Sequence, residues 1–126
     1  MILITKDPID PLQAYALIAK KSSGSVLFHY AVVKEQEGHD GVTCYIDYSV
    51  AGDGEGELMT IAGEIAASWN IEDLLLIRRI GKVGVGEIIS LVAVSSPASE
   101  DAFASCKYGI GRLKKMRSIE KNEVCG

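Results

Sequence analysis

The stretch that decides the fold covers residues 87–121, which read EIISLVAVSSPASEDAFASCKYGIGRLKKMRSIEK. Its first part, Glu87–Ser95, is apolar and rich in β-branched residues, which predicts a buried strand. The strand leads directly into an amphipathic helix, because apolar side chains then recur three and four residues apart. The stripe predicted to face the core is formed by Phe103, Cys106, Ile110, Leu113 and Met116.

The two ends of this helix differ in charge. Ser96 or Ser99 is expected to cap its start, with Pro97 in the first turn and acidic residues just after it. Towards the other end, six cations lie between residues 107 and 121 against a single acid, Glu120. Because capping of a helix needs fewer cations than this, we expect an anion to bind here.

The rest of the chain alternates between strand and helix patterns. Asp10 and Pro11 mark the start of one helix. The glycine-rich segment Gly81–Gly86 is predicted to be a hairpin turn, since no helix follows it as in a phosphate-binding loop. We expect strands at 1–5, 25–33, 42–48, 74–80 and 118–124, helices at about 11–21 and 57–69, and a loop at 34–41. This order, with antiparallel hairpins, predicts one α+β domain spanning residues 1–126.

Composition narrows the class of protein. The chain has 126 residues, enough for a single core, with 48% apolar and 24% charged residues as in globular proteins. No apolar run reaches the roughly 18–20 residues that a membrane span requires, and the N-terminus lacks the basic leader of a signal peptide. We therefore expect a cytoplasmic protein that does not act at a membrane.

The cysteines and histidines do not form a metal-binding pattern. Cys44, Cys106 and Cys125 are odd in number and lack Cys-x-x-Cys spacing, and His29 and His39 do not form a His-x-x-x-His pair. We expect neither a disulfide framework nor a metal site nor a bound cofactor. Cys106 lies on the predicted core stripe, and His29 is expected to be an ordinary strand residue.

Charge is unevenly distributed along the chain. Residues 35–73 contain ten acids and no Lys or Arg, whereas residues 78–121 contain nine of the thirteen Lys and Arg. This pattern predicts either one face for an anionic ligand and another for a different partner, or simply two solvated faces of opposite sign. Nucleic acid is not an expected partner, because Tyr108 is the one aromatic residue among the C-terminal cations.

Two lysines near the C-terminus could have catalytic chemistry. Lys114 and Lys121 lie seven residues apart, at the end of the helix and the start of an extended segment. A lysine whose pKa is lowered by burial or by neighbouring cations, such as Lys115 and Arg117, can act as a general acid or base or as a nucleophile. The alternative is that both are exposed charges at a helix end.

A set of short motifs stands out in the second half of the chain, after Trp69. They are Arg79-Ile80-Gly81 (Arg-Ile-Gly), Gly86–Ile89 (Gly-Asp-Glu-Ile), Val92–Ser96 (Val-x-Val-Thr/Ser-Ser), Ala102-Phe103 (Ala-Phe) and Leu113-Lys114 with Lys121 (Leu-Lys-x6-Lys). With these motifs the chain resembles the large, catalytic subunit of molybdopterin synthase, of which it would be a divergent member. The similarity covers nearly the whole chain and is clearest after Trp69.

The resemblance implies a fold, a reaction and partners. The fold is the α/β hammerhead, and the subunit forms a homodimer within a heterotetramer. Its partner is a small ubiquitin-like sulfur carrier that ends in Gly-Gly. The thiocarboxylate of this carrier supplies sulfur to cyclic pyranopterin monophosphate, which builds the dithiolene that later holds molybdenum or tungsten.

The resemblance also implies site residues. Lys114 and Lys121 would be catalytic, one assisting proton transfer or attack and the other holding the phosphate or the end of the carrier. Lys34, Ser99 and Asn122 would bind substrate, and a basic pocket is expected from Lys34 and the two catalytic lysines.

Some family positions differ in this chain. Lys34 replaces an arginine and loses its bidentate fork, Ala98-Ser99 stands in place of His-Arg, and Arg117–Glu120 replaces Ala-Pro-x-Trp. The alternatives are a non-catalytic carrier-binding module, in which the lysines do not converge, and an anion-binding regulator whose pocket uses only the 34–41 loop.

Overall fold

The structure, a computed structural model, describes residues 1–35, 37–38, 41–42 and 45–124. The helices in these ranges are α1 (Pro11–Leu17), α2 (Gly54–Ser68) and α3 (Ser99–Lys114). The strands are β1 (Ile2–Thr5), β2 (Ser25–Val32), β3 (Glu37–Gly38), β4 (Gly41–Val42), β5 (Tyr45–Val50), β6 (Asp73–Arg79), β7 (Gly81–Gly84), β8 (Ile88–Ser96) and β9 (Ile119–Val124).

A four-stranded sheet in the order β1-β6-β8-β2 forms the centre of the fold. β1 runs parallel to β6, and the other neighbours are antiparallel. Successive side chains of a strand point to opposite faces of the sheet. The strands β6 and β8 are buried on both faces, and most of their residues are therefore apolar. Helices α2 and α3 cover one face, where Leu76 and Val92 belong to the core, and α1 covers the other, where Leu75 and Leu91 do.

A second sheet, in the order β7-β5-β9, is antiparallel throughout and has its own small core around Ile46, Tyr48 and Val83. Strands β3 and β4 form a two-residue antiparallel pair. The predicted α+β class, the mixed sheet and the three helices are confirmed. His39, Cys44 and Cys125 lie outside the described residues, as does part of the predicted 34–41 loop.

Helix α3 begins differently from the prediction. Its N-cap is Ala98, which has no capping side chain. The Ser96 hydroxyl instead donates to the carbonyl of Asn70 (2.7 Å) and accepts from the amide of Ala98 (3.1 Å). Pro97 therefore precedes the cap, and neither Ser96 nor Ser99 caps the helix as predicted.

The buried face of α3 is also shifted from the predicted stripe. Cys106, Leu113 and Met116 are in the core as predicted, but Phe103 is 65% exposed. Small residues face the sheet instead, and a Cβ added to Gly109 would lie 3.1 Å from Val92 Cγ1. Because the helix lies so close to β8, a phenylalanine is accommodated only on its flank.

Two further boundaries were predicted wrongly. Helix α1 ends at Leu17 and not near residue 21, because the amides of residues 19, 21 and 22 donate to the carboxylates of Asp73 and Glu72 and not to helix carbonyls. Most of the predicted 81–86 turn is strand β7, paired with β5. The turn is confined to Val85-Gly86, where Gly86 has a φ of +84° that favours glycine.

Candidate active site

On the face of the central sheet that α3 covers, the apolar side chains are followed at one end by a row of polar residues. Leu74 and Leu76 of β6 belong to the core on this face, and Arg78 follows them in the same alternation. Arg78 pairs with Ser90 of β8, which in turn pairs with Ala31 of β2. The register therefore places a guanidinium and a hydroxyl next to each other at the edge of the hydrophobic core.

Arg78 is a buried cation, with a relative exposure of 7%. One of its terminal nitrogens donates to the carbonyl of Ile89 (3.2 Å), and its guanidinium carbon lies 4.4 Å from the centre of the Tyr48 ring. Its Nε has no hydrogen-bond partner among the described residues, and no described carboxylate pairs with it. The neighbouring Arg79 differs, because it forms an ion pair with Glu87 at 3.2 Å.

The electrostatics of Arg78 follow from this burial. Burial lowers the pKa of Arg78, and the nearby Tyr48 phenol acts in the opposite direction. An arginine nevertheless stays charged, because its ordinary pKa lies above the range in which proteins function. The protein thus holds a permanent positive charge at a site where no described side chain neutralises it.

The second sheet forms another wall of the site. Lys121 of β9 pairs directly with Tyr48 of β5, so both side chains point to the same face. Lys121 Nζ lies 3.2 Å from Glu123, two residues further along the same face. The Lys121 side chain is half-exposed at this position.

Lys114 is the last residue of α3, and it lines the site from the end of this helix. The connection from α3 to β9 is fixed by Glu57 of α2. The Glu57 carboxylate accepts hydrogen bonds from the amides of Arg117 (2.8 Å) and Ser118 (2.9 Å) and from the Ser118 hydroxyl (2.5 Å). A single carboxylate on another helix therefore fixes the segment that joins the two lysines.

The two predicted catalytic lysines line the same cavity. This cavity has a volume of about 290 Å³. Residues from both sheets and from α3 form its walls: Ala31, Val32, Tyr48, Arg78, Ile89, Ser90, Leu113, Lys114, Met116, Ile119 and Lys121. Its titratable side chains are three cations and one tyrosine, so the chemistry of the lining is that of an anion site.

The three residues predicted to bind substrate do not line this cavity. Lys34 is exposed and follows Val33, which packs into the core of the second sheet. Ser99 is at the opposite end of α3 from Lys114, about 22 Å away at 1.5 Å per residue. Asn122 pairs with Asp47 on the outer face of β9, because alternate residues of a strand face opposite sides.

His29 lies in β2, as predicted for a strand residue, and faces α3 in a small groove beside the cavity. Burial and then the positive charge of Lys114 lower the pKa of His29. The neutral imidazole is therefore favoured in the folded protein. Lys114 itself has no ion pair with a carboxylate among the described residues.

Arg78, Ser90 and Tyr48 line the cavity, although no sequence motif marks them as site residues. The sequence contains an indication that Arg78 faces the core. It follows Leu74 and Leu76 at a spacing of two residues, which is the period of one face of a strand. In the described part of the chain, no group of three or more His, Cys, Asp or Glu could hold a metal ion. None of the described helices is both long and apolar enough to cross a membrane.

Comparison with known proteins places this geometry in a family. A family model described as MoaE protein matches residues 4–116. The molybdopterin synthase catalytic subunit of Staphylococcus carnosus is 37% identical over 70 residues, which is 56% of this chain and 47% of that protein. The subunit of the same name from Staphylococcus aureus strain COL is 31% identical over 123 residues, or 96% of this chain and 82% of that protein.

The structural comparison agrees. The X-ray crystal structure of molybdopterin synthase from Staphylococcus aureus superposes with a TM-score of 0.89 at 29% sequence identity. The superposition covers 98% of this chain and 90% of that chain. The fold of nearly the whole chain therefore has a counterpart in a solved structure.

Proposed function

This chain belongs to the MoaE protein family, and on that premise we propose that it is the catalytic subunit of a molybdopterin synthase. The reaction transfers sulfur from the C-terminal thiocarboxylate of a small carrier subunit to cyclic pyranopterin monophosphate, in molybdenum cofactor biosynthesis. The observation that supports this function best is that Lys114 and Lys121 line one cavity.

The charge of the cavity suits both reactants. A thiocarboxylate and a phosphate are anions, and the cavity presents Lys114, Lys121 and Arg78 without a carboxylate in its lining. A non-catalytic module would not require the two lysines to converge, and a regulator that uses only the 34–41 loop would not require them at all. Convergence of the lysines therefore favours the synthase over both alternatives.

The surroundings of the two lysines suggest different roles. Lys121 is half-exposed at the cavity wall, and we assign to it the binding of the C-terminus of the carrier, which would take the place of its exposed partner Glu123. Lys114 has no carboxylate partner among the described residues and is close enough to His29 to influence its charge. We assign proton transfer during sulfur delivery to Lys114.

The partners follow from the same proposal. Relatives are named catalytic subunits, and a catalytic subunit works with at least one other chain. The partner proposed here is a ubiquitin-like carrier ending in Gly-Gly, within a heterotetramer built on a homodimer of this chain. The cytoplasm is the compartment in which we expect the reaction to occur.

The test is an in vitro assay with cyclic pyranopterin monophosphate and the thiocarboxylated carrier. Wild type should form the dithiolene product, and Lys114→Ala should lower its rate by about 100-fold or more, the contribution typical of a positioned acid–base group. Lys107→Ala is the matched control, since Lys107 is an exposed lysine of the same helix outside the cavity. Its rate should stay within about twofold of wild type, because such a surface change removes no contact in the site.

A different outcome would change the assignment. Well-folded wild type that binds the carrier but forms no product would indicate the interaction module. Full activity in Lys114→Ala would remove Lys114 from the chemistry while leaving the family membership intact.

A further inference from the structure

Arg78 is a residue of the cavity lining whose burial lowers the stability of the folded protein. A charged group loses several kcal/mol of hydration when it is buried, and this loss is normally offset by a carboxylate partner. Arg79, the next residue, has such a partner in Glu87, whereas Arg78 has none among the described residues. A leucine in this place would continue the core alternation of Leu74 and Leu76.

We propose that Arg78, with Ser90 beside it, binds the phosphate group of the pterin substrate at the floor of the cavity. This inference rests on the proposed function and adds to it the position of the phosphate. Arg78 and Ser90 lie opposite each other on neighbouring strands of the central sheet. Lys114 and Lys121 are more exposed and approach from α3 and β9.

The reaction itself distinguishes the two candidate anions. A thiocarboxylate loses its negative charge when its sulfur forms a bond to carbon, so a buried guanidinium would stabilise it before the reaction and oppose the transfer. A phosphate ester keeps its charge from binding to product. A permanent cation held in place can bind it equally well throughout, without raising the barrier.

The geometry favours a tetrahedral anion as well. The possible donors come from β6, β8, β9 and α3, which surround the cavity and do not lie in one plane. The contacts of Arg78 with the Tyr48 ring and the Ile89 carbonyl fix its guanidinium, so little rotamer freedom is lost when a ligand binds. Ser90 can donate a second hydrogen bond through its hydroxyl.

The proposal predicts a specific kinetic effect of Arg78→Met. The Michaelis constant for the pterin should rise by about 10- to 100-fold, the loss expected for a hydrogen-bonded charge pair. The kcat should stay within about threefold, and the Michaelis constant for the carrier should not change, because the lost interaction is uniform along the reaction. Arg78→Met should still fold, because it removes a buried charge that has no carboxylate partner among the described residues. Arg78→Lys serves as a second variant, which keeps the positive charge but loses the bidentate geometry of the guanidinium.

Binding of inorganic phosphate gives a readout that does not depend on activity. Phosphate at millimolar concentration should raise the thermal midpoint of wild type and not that of Arg78→Met. Arg117→Met is the matched control, because Arg117 is an exposed arginine outside the cavity lining. It should retain the phosphate response of wild type.

The possible results separate this inference from the proposed function. A higher Michaelis constant for the carrier and not the pterin, or a loss of kcat with both constants unchanged, would overturn the phosphate assignment. Inactive wild type whose midpoint still responds to phosphate through Arg78 would retain the anion site and reject the synthase. Absence of both activity and phosphate response would reject both proposals.

Discussion

Glu57→Gln tests how the site is held together. The Glu57 carboxylate accepts three hydrogen bonds from Arg117 and Ser118, in the segment that joins Lys114 to Lys121. Glutamine has nearly the same shape but no charge, and its amide nitrogen cannot accept a hydrogen bond. The substitution therefore removes part of the acceptor capacity and leaves the rest of α2 unchanged.

The size of the effect follows from these contacts. A hydrogen bond to a charged group contributes about 1.5–3 kcal/mol, but Glu57 is partly exposed and glutamine keeps one accepting oxygen. We expect the free energy of unfolding at pH 7 to fall by about 2 kcal/mol. At roughly 4 °C per kcal/mol for a chain of this length, the thermal midpoint should fall by about 8 °C.

The pH dependence provides a sharper check. Burial would raise the pKa of Glu57, but hydrogen bonds from the Ser118 hydroxyl and from the amides of Ser118 and Arg117 outweigh it, so the pKa is below its ordinary value of 4.5. The unfolded chain then binds the proton more readily than the folded one. The stabilisation is full above about pH 4.5 and is lost as the pH falls through the folded-state pKa.

The assay is urea denaturation of wild type and Glu57→Gln from pH 7 to pH 3, with Glu55→Gln as the control. Glu55 is an exposed acid of the same helix turn with no side-chain hydrogen bond among the described contacts. The difference between wild type and Glu57→Gln should shrink towards zero at the acidic end. A difference that stays constant with pH, or one that Glu55→Gln reproduces, would refute the reasoning.

Glu57→Gln should also reduce catalysis. If the segment between the lysines becomes less fixed, Lys114 and Lys121 lose their relative position, and errors of about 1 Å in a site can lower rates by large factors. We expect kcat to fall about tenfold, with a smaller change in the Michaelis constants. Unchanged kcat at 25 °C would show that Glu57 stabilises the fold without positioning the lysines.

Two further predictions concern stability. Burial and the charge of Lys114 lower the pKa of His29, so the unfolded state takes up the proton first and wild type should lose stability as the pH falls below about 6.5. His29→Gln should lose less between pH 7.5 and 5.5, and identical pH profiles would contradict this. Gly63→Ala should add about 1 kcal/mol, because an added Cβ meets nothing within 4 Å and alanine favours a helix. Gly54→Ala should lower the free energy of unfolding by about 1–3 kcal/mol, because its added Cβ would come 2.5 Å from Ile4 Cδ1. Urea denaturation measures both glycine variants, and midpoints that shift in the same direction for both would contradict the packing argument.

The local pattern of apolar and polar residues was sufficient to predict most of the helices and strands. The strand at β8 and the helix after it were predicted within a few residues, because the change from continuous apolar residues to a period of three and four is a strong signal. The start of α3 was not predicted correctly, since Ser96 uses its hydroxyl to bind Asn70, which lies 26 residues away. Such a competing partner is invisible until the fold is known.

The site was predictable only in part for the same reason. Lys114 and Lys121 are close in sequence, and the α3–β9 connection brings them to the same cavity. Ser99 was expected from its place in a linear motif; α3 separates it from Lys114 by about 22 Å, and its role in substrate binding stays a prediction. Spacing along the chain therefore indicates which residues meet across one short connection, and it does not show which residues meet across a whole helix.

Arg78 shows what has to be known before a buried charge can be interpreted. Its alternation with Leu74 and Leu76 indicates that it faces the core, yet many arginines in such positions pair with a carboxylate on a neighbouring strand. Only the register decides this, and here it places Ser90 opposite Arg78 while Glu87 pairs with Arg79. An unneutralised cation in a cavity lowers stability, so its presence is best explained by an anion that enters the cavity during function.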